Sequence, residues 1–272
     1  MLAQTRLPAA AGSGVRLILT LVCVGTMAGC GPRRTDAPPS GPGLAGDAAA
    51  PVIPSGAAPY TIDADRSVVR LRVYRAGRLA KLGHNHVITT DNETGFAWIG
   101  DTPATSGFEV RVAVAGLVVD DPAARAAAGP EFPGELSEAA REGTRKNMLR
   151  AEVLDGERHP QIVVRADSLE GTWEQAKAAA HVTLKGQTRR VEVPLEILRE
   201  SDAIVARGAF SILQSDFGIT PFSIGGGAIQ VADAVDVAFE IRCQVCKMCK
   251  IGRQPPAAAE SFQSCTSCKP DT

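Results

Sequence analysis

Two groups of residues in this chain have types and spacings that can do chemistry. The first is Gly83-His84-Asn85-His86. If this segment is a strand, side chains two residues apart share a face, so His84 and His86 present two imidazoles side by side. Such a pair can hydrogen-bond locally at a rim, grip the polar head of a bound molecule, or supply two ligands of an incomplete metal site. His159 and His181 are distant in sequence, and nothing places them nearby. The second group is the C-terminal run Cys243, Cys246, Cys249, then Cys265 and Cys268. Cys246-x2-Cys249 and Cys265-x2-Cys268 have the spacing of a four-thiolate zinc site, and zinc is the cofactor these residues suggest. Outside the cytoplasm the same thiols form disulfides, with one of the five left over after two bridges, or serve as a redox dithiol.

Signatures of catalysis are missing. The chain has no Gly-x-Ser-x-Gly elbow, no phosphate-binding glycine loop and no His-Glu-x-x-His. Gly225-Gly226-Gly227 precedes a strand pattern and reads as a turn; Asp216 and Asp233 read as turn or rim residues. Binding, not catalysis, is the expected role. Net charge is −1, from 29 basic and 30 acidic residues without a long basic run, so no nucleic-acid partner is expected.

The N-terminus reads as an address. Arg6 and Arg16 precede the apolar run Leu17–Val24, too short to cross a bilayer, and small residues follow at Gly25, Ala28 and Gly29. Residues 1–29 are thus expected to be a signal peptide. Met27-Ala28-Gly29-Cys30 resembles a bacterial lipobox, which implies cleavage before Cys30, lipidation of its sulfur and an exported, periplasmic, membrane-anchored lipoprotein. Residues 30–59 are rich in Pro, Gly and Ala and read as a flexible tether.

Residues 60–242 must position whatever the chain binds. Val69, Leu71 and Val73 alternate with Arg70 and Arg72; Phe108, Val110 and Val112 alternate with Glu109 and Arg111. The same period of two recurs through Ile162–Arg165, Lys177–Lys185, Arg190–Leu198, Ile204–Gln214 and Gly227–Arg242, as strands with one apolar face require. His84–Trp98 reads as a further strand or a hairpin broken at Asp91-Asn92. Pro194 lacks an N–H and is expected at an edge or with its amide side facing outward. Between Pro130 and Arg150 the period changes, and ELSEAAREGTRKNML predicts one helix over an end or side of the sheet. The sum is about eight strands and one helix, which fits a closed antiparallel barrel or a two-sheet sandwich. Inward-facing candidates are Val69, Leu71, Val73, Phe108, Val110, Val112, Val193, Leu195, Phe210, Ile212, Val237 and Phe239. They either fill a solid core or line an apolar cavity. Residues 243–272 form a separate cysteine-rich tail.

Three motifs in order carry a resemblance. Met148-Leu149-Arg150 with Val153–Ile162, then Val182–Thr188 with Val191–Pro194, then Phe210 with Ser215-Asp216-Phe217-Gly218-Ile219 together resemble the YceI-like family over roughly residues 60–242. The resemblance implies an all-β, eight-stranded antiparallel, lipocalin-like barrel with one helix. It also implies a long apolar channel that binds a polyisoprenoid or isoprenoid-quinone-type lipid, and export from a bacterial cell. The alternative is a metal-binding or thiol-redox module carried by the tail. Ligand identity and oligomeric state stay open.

Overall fold

The period-two stretches become the wall of one closed sheet. The computed structural model describes residues 53–90 and 92–245. The signal segment, Cys30, most of the tether, and Cys246, Cys249, Cys265 and Cys268 lie outside the described residues. In chain order the strands are β1 (Ala58–Ile62), β2 (Val68–Ala76), β3 (His86–Thr90), β4 (Thr94–Ile99), β5 (Gly107–Ala113), β6 (Val118–Val119), β7 (Gln161–Ala166), β8 (Leu169–Gly171), β9 (Ala176–Leu184), β10 (Gln187–Arg199), β11 (Ala203–Leu213), β12 (Ser223–Ile224) and β13 (Ile229–Val245).

The ring runs β1-β4-β5-β7-β9-β10-β11-β13, every pair antiparallel, and closes where Tyr60 and Ile62 of β1 meet Val245 and Cys243 of β13. Closure separates barrel from sandwich and leaves the ring without a free edge. β2 continues the line of β1 after a 3-10 turn at Ala64–Arg66 and bridges β13 to β3. β3 in turn holds β6 through Ile88↔Val119. The expected break near Asp91-Asn92 falls between β3 and β4, but the two do not form a hairpin: β3 pairs with β2 and β6, and β4 with β1 and β5. β13 carries on to Val245, past the expected boundary at Arg242.

Pro194 sits where the sheet can spare its donor. β10 pairs with β9 from Gln187 to Leu195, but its ladder to β11 begins only at Leu195↔Gly208. The carbonyl of Pro194 points at Gly208. Since the N and C=O of a paired residue face the same side, its missing N–H also falls on the β11 side, beyond the last ladder pair.

The expected helix is α2 (Glu138–Met148), capped by Ser137, whose Oγ accepts the N–H of Ala140. A second helix, α1 (Pro122–Ala127), was not expected. Asp120-Asp121-Pro122 carries the residues of a strand stop. It also starts a helix: Asp121 accepts the N–H of Ala124, and Pro122 occupies the first turn, where no donor is needed.

Candidate functional site

All twelve apolar positions expected to face inward line one cavity, along with His86. The register explains why. Phe210, Val237, Leu71 and Ile88 lie directly opposite one another across four neighbouring strands, so one alternation delivers a whole rung of same-face side chains. The next inward rung, two residues along β13, runs through Phe239, Val69 and Thr90. Val110 and Val112 face across to Val164 and Ile162 of β7, which line the same space.

These side chains do not fill the interior. They leave a cavity of about 340 Å³, at the low end of the roughly 300–1,000 Å³ usual for ligand pockets. Left unfilled, an apolar space of this kind forfeits the packing contacts its lining would otherwise make. Water is a poor filler, because an apolar wall offers it too few hydrogen bonds.

Polarity is confined mainly to one end. Around the β10–β11 hairpin the lining is Ile99, Ile197, Ile204, Ile241 and Cys243, all buried. Burial first, then the negative charge of Asp63, pushes the Cys243 thiol up to about 12, so this free cysteine is a neutral, unreactive wall group. At the opposite end β2 turns into β3, β11 gives way to the β12–β13 hairpin, and α2 crosses. There the lining includes His86, Thr144, Asn147 and Gln214 among Val73, Met148, Phe222 and Val231. Half-exposed Thr144, Asn147 and Phe222 mark this end as the mouth. Gln214 is already engaged with the carbonyl of Ala232.

His86 is held from behind. Its Nδ1 lies 2.6 Å from Asp120 Oδ2, while Oδ1 accepts the Val87 N–H at 2.9 Å and Arg125 Nη1 at 2.8 Å. Arg125 is 2% exposed and also donates to the carbonyls of Asn85, Pro133 and Gly134. Burial opposes ionisation of Asp120, but the His86 and Val87 hydrogen bonds and the charges of His86 and Arg125 outweigh it and hold the carboxyl below its usual range. With Nδ1–H committed to Asp120, Nε2 is the ring nitrogen left for the cavity, without a protein partner among the described residues.

The expected pairing of His84 with His86 is not formed. His84 precedes β3, is exposed and is absent from the cavity wall, because the strand starts only at His86. Among the described residues no cluster of three or more His, Cys, Asp or Glu can hold a metal. The zinc reading of Cys246, Cys249, Cys265 and Cys268 falls outside the described residues.

The three sequence motifs meet at the β9–β10 turn, on the same end of the ring as the mouth, and Val153, Leu154, Val182, Leu184 and Ile219 from them also line the cavity. Lys185 Nζ donates to the carbonyls of Glu152 and Gly218, and the Thr220 N–H donates to Glu152. Gly186 adopts φ +70°, and a Cβ there would lie 2.7 Å from the His159 ring. Val153, Val182, Leu184, Phe217 and Ile219 pack into one buried cluster beneath. This clasp covers the stretch where β10 and β11 do not pair, so the motifs secure the wall. Nothing in the local sequence signals the Asp120–Arg125 support of His86; the lining by α2 is visible in the i, i+3, i+4 spacing of Thr144, Asn147 and Met148.

A family model for the YceI-like domain matches residues 60–243. No curated protein matches the chain. Similar solved structures include BcnA of Burkholderia cenocepacia, 15% identical, TM-score 0.47, covering 66% of this chain and 98% of that one. Another is the YceI protein of Campylobacter jejuni, 11% identical, TM-score 0.42, covering 58% and 83%. With the family model spanning all but the outermost residues of the closed wall, the chain belongs to the YceI-like family, whose barrels have a lipid-binding role.

Proposed function

We propose that this protein is a carrier for a polyisoprenoid or isoprenoid-quinone-type lipid, held with its chain along the barrel and its polar head at His86. The observation that carries the reading is the one-ended polarity of the cavity. A buried hydrocarbon gains about 0.8 kcal/mol per methylene on leaving water, and the walls around Phe108, Phe210 and Phe239 offer almost only carbon to such a chain. Branched methyls suit walls made of Val, Ile and Leu. A head group needs hydrogen-bonding partners, and His86 Nε2 and Asn147 supply them where the cavity opens, beside Thr144, whose hydroxyl donates to the Ala140 carbonyl and keeps a lone pair to accept with. In the neutral tautomer that Asp120 selects, Nε2 is an acceptor, which suits a hydroxyl head such as a prenyl alcohol or a hydroquinone. The lipobox reading of Cys30 would keep the barrel in the periplasm on a tether at a membrane, close to the source of such lipids.

Titration of the purified full chain with a polyprenyl alcohol, followed by native mass spectrometry, tests this. The expected result is one lipid per barrel. His86→Ala is expected to weaken the alcohol about tenfold, the worth of one well-placed hydrogen bond, while leaving a prenyl hydrocarbon without a head group unaffected. Equal loss for both lipids would remove His86 from head-group recognition, and no binding of either would end the carrier reading.

A further inference from the structure

We propose that the rim of the cavity mouth is a docking surface for an anionic bilayer, separate from any acyl anchor at Cys30. Two turns build it. The β2–β3 turn carries Leu79, 49% exposed, and Leu82, 70% exposed, and the β12–β13 turn carries Ile224, 50% exposed. The turns lie against each other. The Leu79 N–H donates to the Ala228 carbonyl at 2.7 Å, and Gly83 sits 3.4 Å from the Ile229 side chain, with the distance taken from where its Cβ would be. A Cβ at Gly77 would come within 2.6 Å of the carbonyls of Gly227 and Ala228, so the approach is close enough to demand glycine there. The β12–β13 hairpin also bears Phe222 and Val231, which line the cavity, and the Val231 N–H bonds back to the Phe222 carbonyl. The exposed apolar residues therefore border the opening itself.

Charge decides what this rim fits. Arg78 and Lys81 alternate with Leu79 and Leu82 and are exposed, and neither has an ion-pair partner among the described residues. No Asp or Glu occurs in residues 76–83 or 217–232. Asp233, just beyond, is closed onto the N–H and Oγ of Ser215. Glu131 and Glu135 are exposed on the loop that lies against the base of the β2–β3 turn, where Asn85 donates to the Glu131 carbonyl. The attraction is therefore local to the two turns. Leucines that can enter the headgroup–acyl boundary, flanked by cations that meet lipid phosphate, are the pattern of an interfacial membrane contact. Large apolar side chains beside a functional opening mark an interaction site. Seated this way, the barrel opens into the bilayer, and an apolar chain passes between membrane and cavity without crossing water.

The test uses the full chain carrying Cys30→Ser, so that no acyl group contributes, and sedimentation with vesicles of phosphatidylcholine alone or in equal parts with phosphatidylglycerol. The N-terminal apolar run is common to all variants, so differences read the rim alone. The protein is expected to favour the anionic vesicles. Arg78→Glu with Lys81→Glu should lower that partition on the order of thirtyfold, from about fivefold per cation at an anionic surface, and leave the neutral vesicles unchanged. Leu79→Ser with Leu82→Ser should cost about tenfold or more. Leu82→Trp should shift to blue emission on the anionic vesicles and be quenched by brominated acyl chains. Equal partition of parent and variants, or a tryptophan at position 82 that stays in water, overturns the proposal. No cavity ligand is needed for this readout, so its failure would leave the carrier reading standing.

Discussion

Asp120 is the residue on which the polar end of the cavity turns. It is buried, sits at φ +51°, and joins His86 to Arg125. Replacing it by Asn leaves the Arg125 charge buried without its counter-ion, which costs about 3–5 kcal/mol; urea denaturation followed by the fluorescence of buried Trp98 measures it. The sign of the pH effect follows from the depressed pKa. The folded state favours the ionised carboxyl, so its contribution is present above the ordinary carboxylate range and is lost as pH falls through that range and below. The acid-limb slope of stability should therefore be shallower in Asp120→Asn than in the parent. At the other end, Cys243 with its pKa near 12 should resist alkylation at neutral pH until the protein unfolds, in a variant whose other cysteines are Ser. Rapid labelling of the folded protein would mean that this end of the barrel is open.

Among the elements, the clasp over the β10–β11 gap is the point of weakness. Phe217 is 1% exposed, and Phe217→Ala is expected to cost about 3–5 kcal/mol by cavity formation. Gly186→Ala meets both a left-handed backbone and the His159 ring. It should cost about 1–3 kcal/mol, and adding His159→Ala should restore only the steric part, read from a double-mutant cycle of urea midpoints. At this scale the sequence was legible wherever one face is apolar. Alternation through Val69–Val73, Phe108–Val112 and Val235–Phe239 named wall residues that the register then stacked into rungs. It was illegible where the chain uses other devices. Nothing local shows that Arg125 will swing beneath His86, because that bond depends on β6 meeting β3. His84 and His86 looked equivalent because period two holds only inside a strand, and the strand starts between them. The Asp-Pro step hid α1 because one dipeptide can both stop a strand and cap a helix.

For the whole molecule, closure of the ring and incomplete filling of its interior belong together. Eight strands enclose slightly more space than the Val-, Ile- and Ala-rich wall can occupy. Sequence alternation could not separate a filled core from a cavity, since both put the same residues inward; only the size of the ring against the size of the side chains decides. Val237, on the rung with Phe210 and Leu71, tests the consequence. Val237→Trp should fill the channel while keeping the fold, with stability unchanged or raised, and so uncouple lipid uptake from folding. The most direct test is to purify the parent and Val237→Trp proteins from their membranes without harsh detergent and identify the lipids in an organic extract by mass spectrometry. A long-chain prenyl lipid in near-equal ratio to the parent, and absent from the filled variant, is the predicted result. No such lipid in the parent, or the same amount in both, would contradict the account.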